Sequence, residues 1–138
     1  MENLDPAIQK RIEESWARQK LMTLYEAKIT GTGRGYFEAT VQAKEALLRT
    51  NGIFHGGVIA AMADSAGGYS AGTMHEKDAS FLTIEFKVNF LRQARGEKLI
   101  ARATVLKGGQ TITVSRVDVF VENDTLVATA IVTLIKEK

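Results

Sequence analysis

NGIFHGGVIAAMADSAGGYSAG, residues 51–72, places a histidine and two glycines directly before an apolar run that contains a single acid, Asp64. The run predicts an α-helix over residues 57–74, and small residues recur at helical spacing on the side that carries the acid: Gly57, Ala60, Gly67 and Ala71. Each glycine inside a helix costs about 1 kcal/mol relative to alanine, so this stripe favours close approach by another backbone or a ligand. A slim ligand is therefore expected to pass beside the acid.

Purely structural explanations of the same residues stay open at this point. Gly67 and Gly68 are consistent with the end of the helix, because glycine commonly terminates helices. Asp64 is consistent with an aspartate that faces water or pairs with a lysine, and His55 with a structural histidine.

Composition bounds the class of protein. The chain has 138 residues, 45% of them hydrophobic and 25% charged, which predicts one globular domain over residues 1–138. It has no cysteine and only two histidines, so neither a disulfide framework nor a metal site is expected. The net charge is +2 and the basic residues are scattered, which argues against nucleic-acid binding. The sequence shows no signal peptide and no apolar run long enough to span a membrane, so we expect a cytoplasmic protein.

The remaining segments predict an α+β fold. Asp5 before Pro6 indicates an N-cap, and the apolar spacing that follows predicts an amphipathic helix over residues 5–22. Strands are predicted over residues 23–30 and 34–42, joined at residues 31–33, and then over 82–90, 99–107, 111–121 and 126–135. This order favours one antiparallel sheet with the long central helix against one face. Strict alternation in the 82–90 strand places Thr83 on its polar face, away from that helix.

The start of the central helix is a candidate oxyanion site. Backbone N–H groups are unpaired there and the helix dipole is positive, and the glycines allow a substrate oxygen to approach closely. Asp64 lies seven residues beyond Gly57, about 10 Å along the axis. The two groups cannot easily flank one carbonyl carbon, so a second copy of the chain is expected to bring them together.

These residues resemble a known family. His55-Gly56-Gly57 followed by Asp64 in an Ala/Gly-rich helix is similar to the hotdog-fold acyl-CoA thioesterases of the phenylacetate-pathway (PaaI-like) type. The segment FLTIEFKVNFLRQARGEKLIARATVLKGGQTITVSRVDVF, residues 81–120, is similar to that family's second half. The resemblance covers residue 39 to the C-terminus. It implies a sheet wrapped around the central helix, a homodimer with a continuous sheet, and dimers that pair into homotetramers.

The resemblance also implies roles for individual residues. Asp64 would act as general base or as nucleophile, and the Gly56 amide of the partner subunit would polarise the thioester carbonyl. His55 would help to hold the carbonyl end of the site, with Gly57 beside it. Thr83 matches a Ser/Thr position that helps to place the attacking water.

The substrate implied is an acyl-CoA, a medium-chain or aryl thioester, with no cofactor beyond the coenzyme A of the substrate itself. Arg92 and Arg95 lie in a basic turn that suits the phosphates of coenzyme A. Many family members carry an asparagine six residues before the histidine. Arg49 occupies that position here, and Asn51 follows two residues later.

Three alternatives accompany the thioesterase hypothesis. A hydratase or dehydratase of the same fold usually has a proline in the loop before the histidine, and the only proline here is Pro6. A non-catalytic acyl-CoA-binding or regulatory module would keep the helix start without needing Asp64. A structural oligomer would use the small-residue stripe only for packing.

Overall fold

The computed structural model describes residues 2–138, which form three α-helices and six β-strands. In chain order the elements are α1 (Pro6–Arg18), α2 (Lys20–Tyr25), β1 (Lys28–Gly33), β2 (Tyr36–Gln42), a 3₁₀ turn (Glu45–Leu47), α3 (Gly56–Gly72), β3 (Phe81–Phe90), β4 (Lys98–Gly108), β5 (Ile112–Val121) and β6 (Thr125–Lys136).

All six strands belong to one antiparallel sheet with the order β1-β2-β4-β5-β6-β3. Alternate residues of the inner strands are buried and pack against α3, so the sheet and the helix share one hydrophobic core. This arrangement confirms the predicted α+β hotdog architecture, an antiparallel sheet around a long central helix.

The contact between α3 and β6 is the tightest point of the core. A Cβ atom at Gly67 would lie 2.9 Å from the Cβ of Val132, closer than real Cβ atoms approach a neighbour. Glycine is therefore required at residue 67 by packing and not as a helix end, because α3 continues five residues further to Gly72. Gly68 is different: a Cβ there would meet only Leu134, at an ordinary 3.5 Å.

The N-terminal helix is shorter than predicted and is followed by a second one. The Asp5 cap is confirmed, because its Oδ1 accepts a 2.7 Å hydrogen bond from the Ala7 amide. The helix expected over residues 5–22 is interrupted at Gln19, whose backbone is extended and whose side-chain amide donates to the Tyr69 hydroxyl on α3. This contact with α3 overrides local helix preference, and the strand predicted from Thr23 is instead the end of α2.

The first hairpin also turns later than predicted. Residues 31–33 lie within β1, and the turn is formed by Arg34 and Gly35, where Gly35 has φ +77°. The earlier glycine, Gly31, follows a shift in the β1–β2 register after Ile29. A bulge explains a glycine inside a strand as well as a turn does, and the sequence alone does not separate the two.

Strand β3 differs from simple alternation because it contains a bulge. Thr83 pairs with Leu134 and Glu85 with Thr133, so Ile84 is an extra residue with no partner on β6. The extra residue reverses the side on which earlier residues lie. Thr83 therefore faces α3, and its predicted placement on the polar face away from the helix is wrong.

Strand β3 is also an edge of the sheet, and its apolar side chains are exposed. Leu82 and Ile84 are each 55% exposed and Phe90 is 57% exposed. An edge strand with exposed apolar side chains is a template for pairing with another chain. Within residues 2–138, no helix is both long enough and apolar enough to cross a membrane.

The Gly67 contact gives a stability prediction. We expect Gly67→Ala to lower the free energy of unfolding by about 1–3 kcal/mol relative to Gly68→Ala, because both substitutions gain helix propensity but only the first overpacks the core. Urea denaturation at one fixed protein concentration measures the difference. Combining Gly67→Ala with Val132→Ala should recover part of the loss, and equal stability of the two alanine variants would contradict the packing argument.

Candidate active site

The start of α3 is capped by the side chain of His55. Its Nδ1 accepts a 2.8 Å hydrogen bond from the Gly57 amide, so the ring proton of the neutral imidazole resides on Nε2. A Cβ at Gly57 would lie 3.0 Å from that Nδ1, which explains why a glycine follows two residues after the histidine. His55 is exposed, so Nε2 remains accessible.

The Gly56 amide is the free donor at this helix start. No group in the described residues 2–138 accepts a hydrogen bond from it, whereas the Gly57 amide is already bound to His55. The ring of Phe90 covers Gly56, since a Cβ there would meet the ring at 3.5 Å. An unpaired amide at the positive end of a 17-residue helix can stabilise a developing oxyanion.

Backbone hydrogen bonds fix the loop that presents this amide. The His55 amide donates to the Leu47 carbonyl at 3.0 Å, and the Phe54 amide donates to the Ala94 carbonyl at 2.9 Å. Phe54 and Leu47 are also buried in the core. The helix start is therefore held on both sides by rigid backbone, which preorganises the donor.

Asp64 lies on the exposed side of α3 in contact with β3. Thr83 Oγ1 donates a 2.7 Å hydrogen bond to its Oδ1. The side chain is half-buried and, within the part of the chain that the structure describes, forms no ion pair. Of the two structural explanations left open for Asp64, exposure to water or an ion pair with a lysine, the structure does not support the second. One carboxylate oxygen is oriented by a hydroxyl, and Oδ2 has no hydrogen-bond partner in residues 2–138.

Asp64 and Gly56 of the same chain lie far apart. Eight residues of α-helix separate them, about 12 Å along the axis. Both belong to one continuous helix, so their separation is fixed. The chain's own amide and its own carboxylate cannot meet at one carbonyl group.

A cleft of about 330 Å³ adjoins the start of α3 and is lined by two arginines. Gly56 and Phe90 line it together with Arg92 from the turn after β3, and with Arg49, which stands where the family has asparagine. Both arginine side chains are exposed. Arg92, predicted from the basic turn as a ligand of the coenzyme A phosphates, thus lies in the same cleft as the unpaired Gly56 amide, together with Arg49.

Arg95 and Asn51 lie beside this cleft without lining it. Arg95 Nη1 donates a 3.1 Å hydrogen bond to the Asn51 carbonyl oxygen and lies against Gly52, which has φ +81°. This contact gives Arg95 a structural role in holding the 49–53 turn. The Asn51 side chain is exposed.

A second cleft, of about 350 Å³, lies on the other side of Asp64, between α1, α3 and the segment before β3. Tyr69 lines it, and the Tyr69 hydroxyl bonds to Ser15 on α1 at 2.8 Å. Arg11 also lines it. The sequence did not identify Arg11 or Ser15, because on an amphipathic helix they are indistinguishable from other solvent-facing polar residues. Met62, also on α3, is fully buried in the core and lines neither cleft.

No group of three or more His, Asp or Glu side chains within residues 2–138 is arranged to hold a metal ion.

Comparison with known proteins decides the family. Residues 51–128, more than half of the chain, match the family model of the thioesterase superfamily. The chain belongs to the thioesterase superfamily. It is a thioester hydrolase, and its hotdog fold and resemblance to PaaI-like thioesterases are confirmed.

Individual relatives of this thioesterase agree with that assignment. A thioesterase family protein from Silicibacter pomeroyi is 36% identical, with a TM-score of 0.89 over 94% of this chain and 97% of that one. The Escherichia coli medium/long-chain acyl-CoA thioesterase YigI is 34% identical over 94 residues, which are 59% of this chain and 61% of YigI. The E. coli PaaI protein shares the fold, with a TM-score of 0.89 over 99% of this chain and 97% of that chain at 17% identity.

The His55 cap gives a prediction about stability that is independent of catalysis. We expect His55→Ala to lower the free energy of unfolding by about 0.5–2 kcal/mol. His55→Asn should lower it by much less, since asparagine is a strong N-cap. Chemical denaturation of the thioesterase and the two variants checks this. Equal stability of the alanine and asparagine variants would show that the cap does not stabilise α3.

Proposed function

We propose that this thioesterase hydrolyses a medium-chain or aryl acyl-CoA to the free acid and coenzyme A, with Asp64 of one subunit and the Gly56 amide of its partner at one composite site. The observation that carries the proposal is the 2.7 Å hydrogen bond from Thr83 to Asp64, which holds a half-buried carboxylate with one oxygen free. No cofactor takes part beyond the coenzyme A of the substrate.

The chemistry requires three groups. A carboxylate attacks the thioester carbon or activates a water that attacks it, a donor stabilises the oxyanion, and a fixed group orients the attacking atom. If Asp64 is the base, it takes a proton from water while the water oxygen bonds to the carbonyl carbon. The C–S bond then breaks and the coenzyme A thiolate accepts a proton. If Asp64 is the nucleophile, water hydrolyses the resulting anhydride and the products are the same.

Dimerisation supplies the missing geometry in this proposal. The 12 Å between Gly56 and Asp64 of one chain, estimated from helix rise, excludes a site within one subunit. The unpaired β3 edge, which carries Thr83 and Phe90, offers the surface on which a second copy can add its own β3. Pairing there would bring two α3 helices together in opposite directions, as a two-fold axis requires. The further pairing of dimers into a tetramer stays a prediction.

Several observations support the substrate class. The cleft beside Gly56 holds Arg49 and Arg92, which suit the phosphates of coenzyme A, and YigI, a relative, is named for medium- and long-chain acyl-CoA. His55 Nε2 is accessible and can donate to the thioester carbonyl oxygen that the Gly56 amide of the same subunit would bind. The expected roles of Gly57, Asn51 and Arg95 in substrate binding stay predictions, as does the cytoplasmic location.

One observation favours a second candidate function, a non-catalytic acyl-CoA-binding module. Arg49 replaces the asparagine found in many family members and lines the cleft beside the Gly56 amide. A cation there strengthens the binding of a phosphate-bearing ligand without contributing a group that orients water. The test on Asp64 below separates the two candidates.

Replacing the carboxylate tests the catalytic role. We expect Asp64→Asn to lower kcat for octanoyl-CoA by at least about 10²-fold, because the amide cannot accept a proton or attack the carbonyl. The Kd for the same thioester should change little. Thiol release measured with a chromogenic reagent gives kcat, and calorimetry with the inactive variant gives Kd.

Asp124→Asn is the matched control, since Asp124 is exposed in the β5–β6 turn and the chemical change is the same. Hydrolysis by Asp64→Asn at the wild-type rate would overturn the catalytic role. Tight binding with no hydrolysis by the wild-type protein, over a panel of alkyl and aryl acyl-CoAs, would establish the binding module instead.

Charges on the β3 edge test the composite site. We expect Leu82→Lys/Ile84→Lys to raise the dimer dissociation constant at least about tenfold, roughly 1.4 kcal/mol, and to lower activity in proportion to the dimer lost. Light scattering over a concentration series and parallel assays measure both. Leu24→Lys/Leu106→Lys adds the same charge at residues 68% and 59% exposed elsewhere. A fully active monomer would rule out a shared site.

A further inference from the structure

The cleft between α1 and α3 carries an unbalanced positive charge. Three cations line it, one from the middle of α1, one from its end and one from the loop before β3: Arg11, Arg18 and Lys77. Asp78 is the one carboxylate among the described lining residues. None of the three cations forms an ion pair in residues 2–138. The nearby Glu76 is instead paired with Lys136 at 2.6 Å.

Arg11 is the innermost of these cations. Its two Nη atoms donate to the carbonyls of Ala79 and Gly72, at 2.6 and 2.7 Å. Its Nε is buried without an acceptor among the described residues, and burial lowers the pKa of the guanidinium. A Cβ at Gly72 would lie 3.4 Å from Nη2, so glycine allows the guanidinium to lie close against the end of the helix. The charge is thus partly desolvated. Its direct contacts are two carbonyl oxygens, and the carboxylates of Glu76 and Asp78 act on it at longer range.

The cleft continues from the proposed reaction centre. Gly68 lines it one turn after Asp64, about 6 Å along α3, and Gly72 lines it about 12 Å away. On the opposite wall Phe81 lies two residues before Thr83 and on the same strand face. A chain whose carbonyl carbon is at Asp64 can therefore run along the small residues of α3 toward Arg11.

We propose that this cleft binds the distal end of the acyl group and selects acyl-CoA thioesters that carry a terminal carboxylate, the CoA thioesters of dicarboxylic acids. The inference rests on the proposed function and names its substrate class. Coenzyme A itself would lie toward the partner's helix start and the arginines there, on the other side of the reacting carbonyl.

The chemistry of the walls favours a carboxylate over a plain alkyl end. Ser15 and Tyr69 present hydroxyl groups. An alkyl chain would bury these hydroxyls and the cations without replacing the hydrogen bonds that they make to water, which is unfavourable. A carboxylate accepts charge-assisted hydrogen bonds from Arg18 and Lys77, which are exposed and free to reorient. Its charge also offsets the desolvated cation at the base of the cleft.

Pairs of thioesters with equal carbon count test the selection directly. We expect wild-type kcat/KM to be at least about tenfold higher for adipyl-CoA than for hexanoyl-CoA, or for suberyl-CoA than for octanoyl-CoA. Arg18→Gln/Lys77→Gln should remove about tenfold of kcat/KM for the dicarboxylic members and leave the monocarboxylic members unchanged. Lys10→Gln, on α1 with a side chain 77% exposed, is the control and should change neither.

Each other outcome overturns the inference. Equal losses on both members of a pair would show that the cleft binds the phosphates of coenzyme A, and a wild-type preference for the alkyl member would show that it binds no anion. If no thioester is hydrolysed, the proposed function fails, and calorimetry still decides the cleft: adipyl-CoA must bind more tightly than hexanoyl-CoA, and the double variant must remove the difference. Circular dichroism verifies that the variants fold.

Discussion

The close approach of α3 to β6 is the constraint on which the rest of this thioesterase depends. Gly67 allows the helix backbone to lie directly on Val132, and no larger residue leaves that distance intact. Because β3 pairs with β6, the same contact also sets how close β3 lies to α3. Thr83 thereby reaches Asp64 with a hydrogen bond of normal length. A packing requirement in the core thus helps to determine the geometry of the Asp64 carboxylate.

One continuous helix keeps the two groups of the proposed composite site apart. The amide at the start of α3 and the carboxylate in its middle are parts of one element, so no side-chain motion brings them together. His55 contributes to this separation by binding the next amide, at Gly57, and leaving the Gly56 amide unpaired. In the proposed composite site, the need for a second copy of the chain follows from this helix geometry.

Much of the fold could be predicted from the sequence, and the exceptions have physical causes. The long helix, the later strands and the cap at Asp5 follow from periodicity and local chemistry, which act over a few residues. The break at Gln19 depends on Tyr69, 50 residues away, and no local pattern contains that contact. The orientation of Thr83 failed for a related reason, since a single bulged residue changes side-chain direction without changing composition. The motif at His55 located the helix start, and the helix spacing to Asp64 gave the expectation that a second copy of the chain brings the two groups together. The specific roles of the two groups came from the resemblance.

The bulge at Ile84 changes which side chains of β3 point toward the helix. Before it, odd-numbered residues face the helix; after it, even-numbered residues do. The side chains of the hydrophobic edge and the Thr83 hydroxyl can therefore change independently during evolution, because each lies on its own side of the bulge. Loss of that one residue would leave every functional side chain in the chain and still rotate the hydroxyl away from its carboxylate. The number of residues in β3 is in this sense part of the candidate site.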